Sequence, residues 1–110
     1  MLAAALGEAG FVTSEAGSAR EGLMLVLAQR FDAVVVDLVM PGTNGLQLLG
    51  EMRTASKAGA VPGVLLSSLP PGATRDNARA EAARFERLAF LDKPVTGARL
   101  VATLGGLLSD

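Results

Sequence analysis

The run VVVDLVMPGTNG, residues 34–45, carries the organising information of this 110-residue chain. Three β-branched residues in a row, Val34 to Val36, read as a strand buried on both faces, because a strand with one wet face would alternate apolar and polar residues. Asp37 ends the run. Met40, Pro41 and Gly42 then spell a turn, and Asn44–Gly45 opens a stretch in which Leu46, Leu49 and Met52 recur at helical spacing. A carboxylate is thereby set at the mouth of an apolar strand, which is where open parallel sheets place their ligands.

Outward from this stretch, short apolar runs alternate with helical ones. Residues 2–10 predict a helix closed by Gly10 as a left-handed cap. Residues 11–15, FVTSE, predict a short strand. Ser18, with Glu21 three residues on, forms a capping box for a helix over 19–30. Residues 31–37 are the strand already described, and residues 44–57 predict the next helix. VPGVLLSS (61–68) predicts a second doubly buried strand. Residues 74–87 predict a polar helix with a thin stripe of Ala80, Ala83 and Phe85, and LAFLD (88–92) predicts a strand. A last helix over 97–108 is capped by Thr96. Strict alternation with short linkers predicts one α/β domain over 1–110, a parallel sheet with helices on both faces.

Composition narrows the chemistry. With 50% hydrophobic and 19% charged residues the chain has the makings of a packed core. A net charge of −1 gives no electrostatic case for nucleic acid or an anionic membrane. The absence of Cys and His removes thiolate nucleophiles, imidazole ligands and a histidine phosphodonor. The start lacks a basic segment and carries Glu8, unlike a signal peptide. No apolar run approaches the roughly 20 residues of a membrane span, so a cytoplasmic location is expected.

Three polar residues fall at strand C-terminal ends: Asp37, Ser67 and Lys93. Each alone is an ordinary cap or surface residue. Together, a carboxylate, a hydroxyl and an ammonium at neighbouring strand ends can receive an anion. The carboxylate is a nucleophile that can form an acyl phosphate, and the lysine is a point-charge phosphate binder.

With these motifs the chain resembles the response regulator receiver domains of two-component signalling, over essentially its whole length. VVVDLVMPGTNGLQLL is similar to the family's phosphoacceptor strand, turn and third helix; VPGVLLSS is similar to its fourth strand and FLDKP to its fifth. The resemblance implies a flavodoxin-like three-layer fold with Asp37 as phosphoacceptor, Lys93 as phosphate-binding lysine and Ser67 as switch hydroxyl. It places Phe90 at the switch aromatic and implies a cis Lys93–Pro94 bond. It implies Mg²⁺ as cofactor, held by Asp37 and the Val39 backbone carbonyl, and a sensor histidine kinase or histidine phosphotransfer protein as phosphodonor.

One departure bears on all of this. The family's sheet starts with a central strand ending in an acidic pair that binds Mg²⁺, whereas residue 1 already lies at the first helix. Asp32 sits at the wrong end of its strand, and Asp92 should project away from Lys93. The expectation is a receiver lacking its first strand and acidic pair, weak in Mg²⁺ binding. Either it is a fragment of a longer receiver, or the gap is filled by rearrangement or by another chain. GLMLVLA in the second helix is apolar all round, with Leu25 expected to face solvent beside the gap. A homo-oligomer or strand-exchanged dimer is therefore expected. Two functional readings follow: a non-enzymatic phosphorelay receiver signalling by protein contacts, or a pseudo-receiver serving as a phosphorylation-independent interaction and dimerisation module. An unrelated α/β enzyme is disfavoured by the receiver motifs and the lack of His and Cys.

Overall fold

A computed structural model of the chain describes residues 2–40, 42–55 and 61–109. Its elements are α1 (Leu2–Glu8), α2 (Ala19–Ala28), β1 (Val34–Asp37), β2 (Val39–Met40), β3 (Thr43–Asn44), α3 (Gly45–Ala55), β4 (Gly63–Ser67), α4 (Ala73–Ala82), β5 (Leu88–Asp92) and α5 (Gly97–Leu108). Pro41 and the last two residues of the predicted 44–57 helix lie outside the described residues. Capping chemistry sets the helix starts. Ser18 Oγ accepts from Glu21 N–H at 3.2 Å, Asn44 Oδ1 from Gln47 N–H at 2.8 Å, and Thr96 Oγ1 from Arg99 N–H at 3.1 Å.

The main sheet is parallel, in the order β1-β4-β5, with Val36 beside Leu65 and Leu65 beside Phe90. Strand β4 is buried along its whole length, as its continuous apolar run requires. Alternate residues of β4 feed two cores. Val64 and Leu66 meet Leu100 and Leu104 of α5, with Leu6 of α1 behind. Leu65 meets Leu46, Leu48 and Met52 of α3 on the opposite face. The result is the three-layer α/β sandwich that the alternation of elements predicts. Where α1 rests on α5, a side chain at Gly97 would collide with Ala5.

The predicted strand at 11–15 does not form. Among the described residues Val12–Ala16 make no backbone–backbone hydrogen bond, and Val12 is 98% exposed. A strand exists only through its neighbour, and among the described residues no strand adjoins this segment. Between residues 11–16 and the free edge of β1 lies a cleft of about 710 Å³. Leu25 is likewise corrected: it is half-buried and lines this cleft, while Met24 and Leu27 carry the exposed apolar surface of α2. Helix α4 stops at Ala82, short of the predicted Arg87. The bonds Arg84 N–H to Glu81 O and Phe85 N–H to Ala82 O tighten its end, and Arg87 turns into β5 at φ 52°. The turn after Asp37 is a small antiparallel hairpin of β2 and β3, with Gly42 at φ 79°.

Candidate functional site

Strand pairing assembles the site. β1 and β4 are in register with Asp37 beside Leu66, and β4 and β5 with Ser67 beside Asp92, so the C-terminal ends of all three strands come together. The zip runs one step further on each side: Leu38 N–H donates to Leu66 O at 2.8 Å and Lys93 N–H to Ser67 O at 2.7 Å. Asp37 and Lys93 then meet across the strand ends, with Nζ 2.7 Å from Oδ1. Both side chains stay accessible, Asp37 at 51% and Lys93 at 39%. Such a pair contributes under about 1 kcal/mol to stability, yet it leaves a carboxylate oxygen facing solvent beside a fixed cation.

Ser67 is buried, at 1% exposure. Its Oγ accepts from Leu69 N–H at 3.2 Å, which leaves the hydroxyl proton for another acceptor. Gly45 closes the site from below. Its N–H donates to Leu38 O at 2.7 Å, and a side chain there would strike the Asp37 carbonyl and Leu65. The start of α3 can therefore lie against the end of β1 only with glycine at this position. The Lys93–Pro94 peptide is cis.

Asp92 points away from Lys93. It pairs with Arg79 at 2.8 Å and with Arg75 at 3.6 Å, both on α4. Phe90 is half-buried against the α3-side core, and the Arg79 guanidinium lies over its ring at 4.8 Å from the centroid. Arg79 thus joins Asp92 to the aromatic. Sequence reasoning passed over it, although Arg75 and Arg79 stand four apart on one helix face, a spacing that could have flagged a shared partner.

Val39 follows two residues after Asp37, exposed in β2. Asp37 is the carboxylate of this pocket and is already engaged by Lys93. Asp32 precedes β1, and Asp92 is held by two arginines. Among the described residues no group of three His, Cys, Asp or Glu could hold a metal ion. These residues do not by themselves build a site for a hard divalent cation, which takes six or more oxygen ligands. Among the described residues no helix is long and apolar enough to cross a membrane.

A parallel α/β sandwich with a carboxylate and an ammonium paired at its strand ends is the arrangement that the resemblance to receiver domains implies. Comparison with known proteins agrees. The family model for the response regulator receiver domain matches residues 1–105. The sensory/regulatory protein RpfC of Xanthomonas campestris pv. campestris is 38% identical over 105 residues, which is 93% of this chain but 14% of RpfC. The chain thus spans about one-seventh of that relative's length. The chemotaxis protein CheY4 of Vibrio cholerae superposes with a TM-score of 0.84 at 25% identity, covering 98% of this chain and 87% of CheY4. A response regulator from Burkholderia pseudomallei, solved with a phosphorylated aspartic acid, a calcium ion and citrate, superposes with a TM-score of 0.72. It is 25% identical, with 94% of this chain and 57% of that one covered. The chain belongs to the response regulator receiver domain family, the receiver modules of two-component signalling.

Proposed function

We propose that the chain accepts a phosphoryl group on Asp37 from a phosphohistidine, carried by a sensor histidine kinase or a histidine phosphotransfer protein. A carboxylate oxygen of Asp37 attacks phosphorus, the P–N bond breaks and the imidazole leaves. The observation that carries this reading is the Lys93 Nζ–Asp37 Oδ1 contact of 2.7 Å at the strand ends, beside the buried Ser67 hydroxyl. Lys93 is placed to offset charge on the incoming phosphoryl oxygens, and Ser67 to donate to one of them. Phe90 then turns inward as Ser67 moves, a packing change read by partner proteins in the cytoplasm. The phosphorylated aspartic acid of the Burkholderia relative supports this chemistry by kinship. Mg²⁺ is the family's expected cation, but with one carboxylate offset by Lys93 it is held weakly here, by Asp37 and the Val39 carbonyl at most.

The test is incubation with acetyl phosphate and Mg²⁺, followed by mass spectrometry. A slow, hydroxylamine-sensitive gain of one phosphoryl group on Asp37, lost in Asp37→Asn, is expected. An unlabelled protein after prolonged incubation overturns the proposal and leaves a phosphorylation-independent interaction module.

A further inference from the structure

Arg79 of α4 stands between two side chains of β5. Phe90 and Asp92 are two residues apart on that strand, so both leave the same face of it. Arg79 Nη2 donates to Asp92 Oδ2 at 2.8 Å, and the guanidinium carbon lies 4.8 Å from the Phe90 ring centroid. A planar guanidinium can do both at once, with its edge on the carboxylate and its face on the ring. Arg75, one turn earlier on α4, has Nη1 3.6 Å from Asp92 Oδ1. That oxygen is closed off from solvent and makes no hydrogen bond among the described residues. Asp92 is thus a shared anchor with an arginine at each oxygen, and of the two arginines Arg79 is the one that also lies over the aromatic. The apolar side chains that α4 turns to the core are small, Ala78 and Ala82, so it is the arginine that reaches across to Phe90.

We propose that Arg79 is a positioning residue for the Phe90 switch: anchored by Asp92, it holds the ring in its resting position and sets how readily the ring turns inward. This rests on the reading of Phe90 as the aromatic that moves with Ser67. In the resting position the ring has the guanidinium on its face. An inward turn takes the ring away from the cation and leaves Arg79 with Asp92 alone. The contact is made in one state and lost in the other, which is what allows it to bias the equilibrium between them. The Arg79 side chain is 46% exposed, so the contact is of the weaker, solvated kind, equivalent to about a two- to fivefold bias toward the resting position. The Arg79–Asp92 ion pair survives the turn and adds no bias of its own; its part is to keep the guanidinium aimed at the ring. Arg75 meets the same carboxylate from the first turn of α4 without lying over Phe90, which makes it the natural control.

The test reads the χ1 rotamers of Phe90 from three-bond couplings in the ¹³C,¹⁵N-labelled chain, with no phosphoryl donor present. Arg79→Met, which keeps the aliphatic stem, should raise the ratio of turned to resting rotamer about two- to fivefold. Arg75→Met, on the same helix and the same carboxylate, should leave that ratio unchanged. Asp92→Ala should shift it in the same direction as Arg79→Met. The two changes together should shift it no further than Arg79→Met alone, because the carboxylate reaches the ring through Arg79. With acetyl phosphate added, Arg79→Met should label Asp37 about two- to fivefold faster, since the turned ring belongs to the labelled state. An unchanged rotamer ratio in Arg79→Met overturns the proposal. An equal shift in Arg75→Met, or additive shifts in the double variant, also overturns it, in favour of a general loosening of α4. A rotamer shift with an unchanged labelling rate overturns the link to the switch. A chain that never labels while its rotamers respond overturns the proposed function instead and leaves Arg79 holding the ring. Should Asp92→Ala unfold the chain, the comparison of Arg79→Met with Arg75→Met decides alone.

Discussion

Strand β4 and the segment 11–16 each place a valine in a stretch that reads as a strand, but they meet opposite fates. Val64, flanked by β1 and β5 and covered by α5, is fully buried, whereas Val12 is 98% exposed. Val35, on the edge strand β1, is exposed at 38%. The intrinsic preferences of these valines are identical. What differs is whether a backbone lies alongside, so strand formation here is a tertiary property. The molecule has a finished half, β4-β5 with α3, α4 and α5, and a more exposed half, the β1 edge with residues 11–16 and α2. The chemistry of Asp37 sits on the seam.

The sharpest way to break this contrast is truncation in each half. Leu65→Ala removes a fully buried side chain at the meeting of β1, β4 and β5 and should cost about 2–5 kcal/mol in urea denaturation. Val12→Ala should change stability by less than about 0.5 kcal/mol, as surface substitutions do. Comparable costs at the two positions would mean that residues 11–16 pack in solution as a true strand.

What the sequence allowed to be read follows the same line. The ends of β1, β4 and β5 were legible because their apolar runs are continuous, and Asp37, Ser67 and Lys93 stand out as the polar residues that close them; of the three only β4 is buried throughout, and the expectation that β1 is buried on both faces fails at Val35, which lies 38% exposed on the sheet edge. Ser18 and Thr96 as caps, and Gly10 as a helix stop, were legible because capping is local chemistry. Residues 11–15 were misread because Phe11, Val12 and Thr13 favour strands, whereas strand formation also needs a partner alongside, which no local pattern encodes. Leu25 was misplaced for the same reason: its surroundings depend on the cleft. Arg79 was missed because its two partners, Phe90 and Asp92, lie on another element.

A second prediction sharpens the seam itself. Gly45→Ala places a methyl group against the Asp37 carbonyl and Leu65, and overpacking of this kind should cost about 1–3 kcal/mol. The backbone at Asp37 must move to relieve it, so the labelling rate from acetyl phosphate should fall along with stability. A stability loss with unchanged labelling would detach the site from the α3 start.

Within the finished half, Arg53 ties α3 to the far end of the sheet. Its guanidinium donates to Val61 O at 3.0 and 3.2 Å and to Glu86 O at 2.5 Å, and it lies 5.6 Å from the Phe85 ring centroid. Burial pushes its pKa below the usual arginine value, partly countered by Glu86, while the group stays charged at any pH where the protein folds. Arg53→Met keeps the aliphatic stem and leaves two carbonyls without this donor, so a loss of about 1–3 kcal/mol is expected from denaturation curves. Arg20, exposed on α2, should lose less than about 0.5 kcal/mol on the same change.

The smallest expected effect on stability falls where the functional effect should be largest. Asp37 and Lys93 form a short ion pair, but both are more than a third exposed, at 51% and 39%, so water and salt screen their attraction. Asp37→Asn keeps the side-chain shape and removes one charge; it should shift stability by no more than about 1 kcal/mol in either direction, while phosphoryl labelling disappears with the nucleophile. Lys93→Gln should be equally mild for folding and should slow labelling without moving it to another residue. Denaturation midpoints and mass spectra on the same samples separate the two quantities. A loss of several kcal/mol in either variant would mark the pair as a structural clamp on the free end of β1. Near-neutral stability with lost or slowed labelling would mark it as a pair kept at the seam for its chemistry.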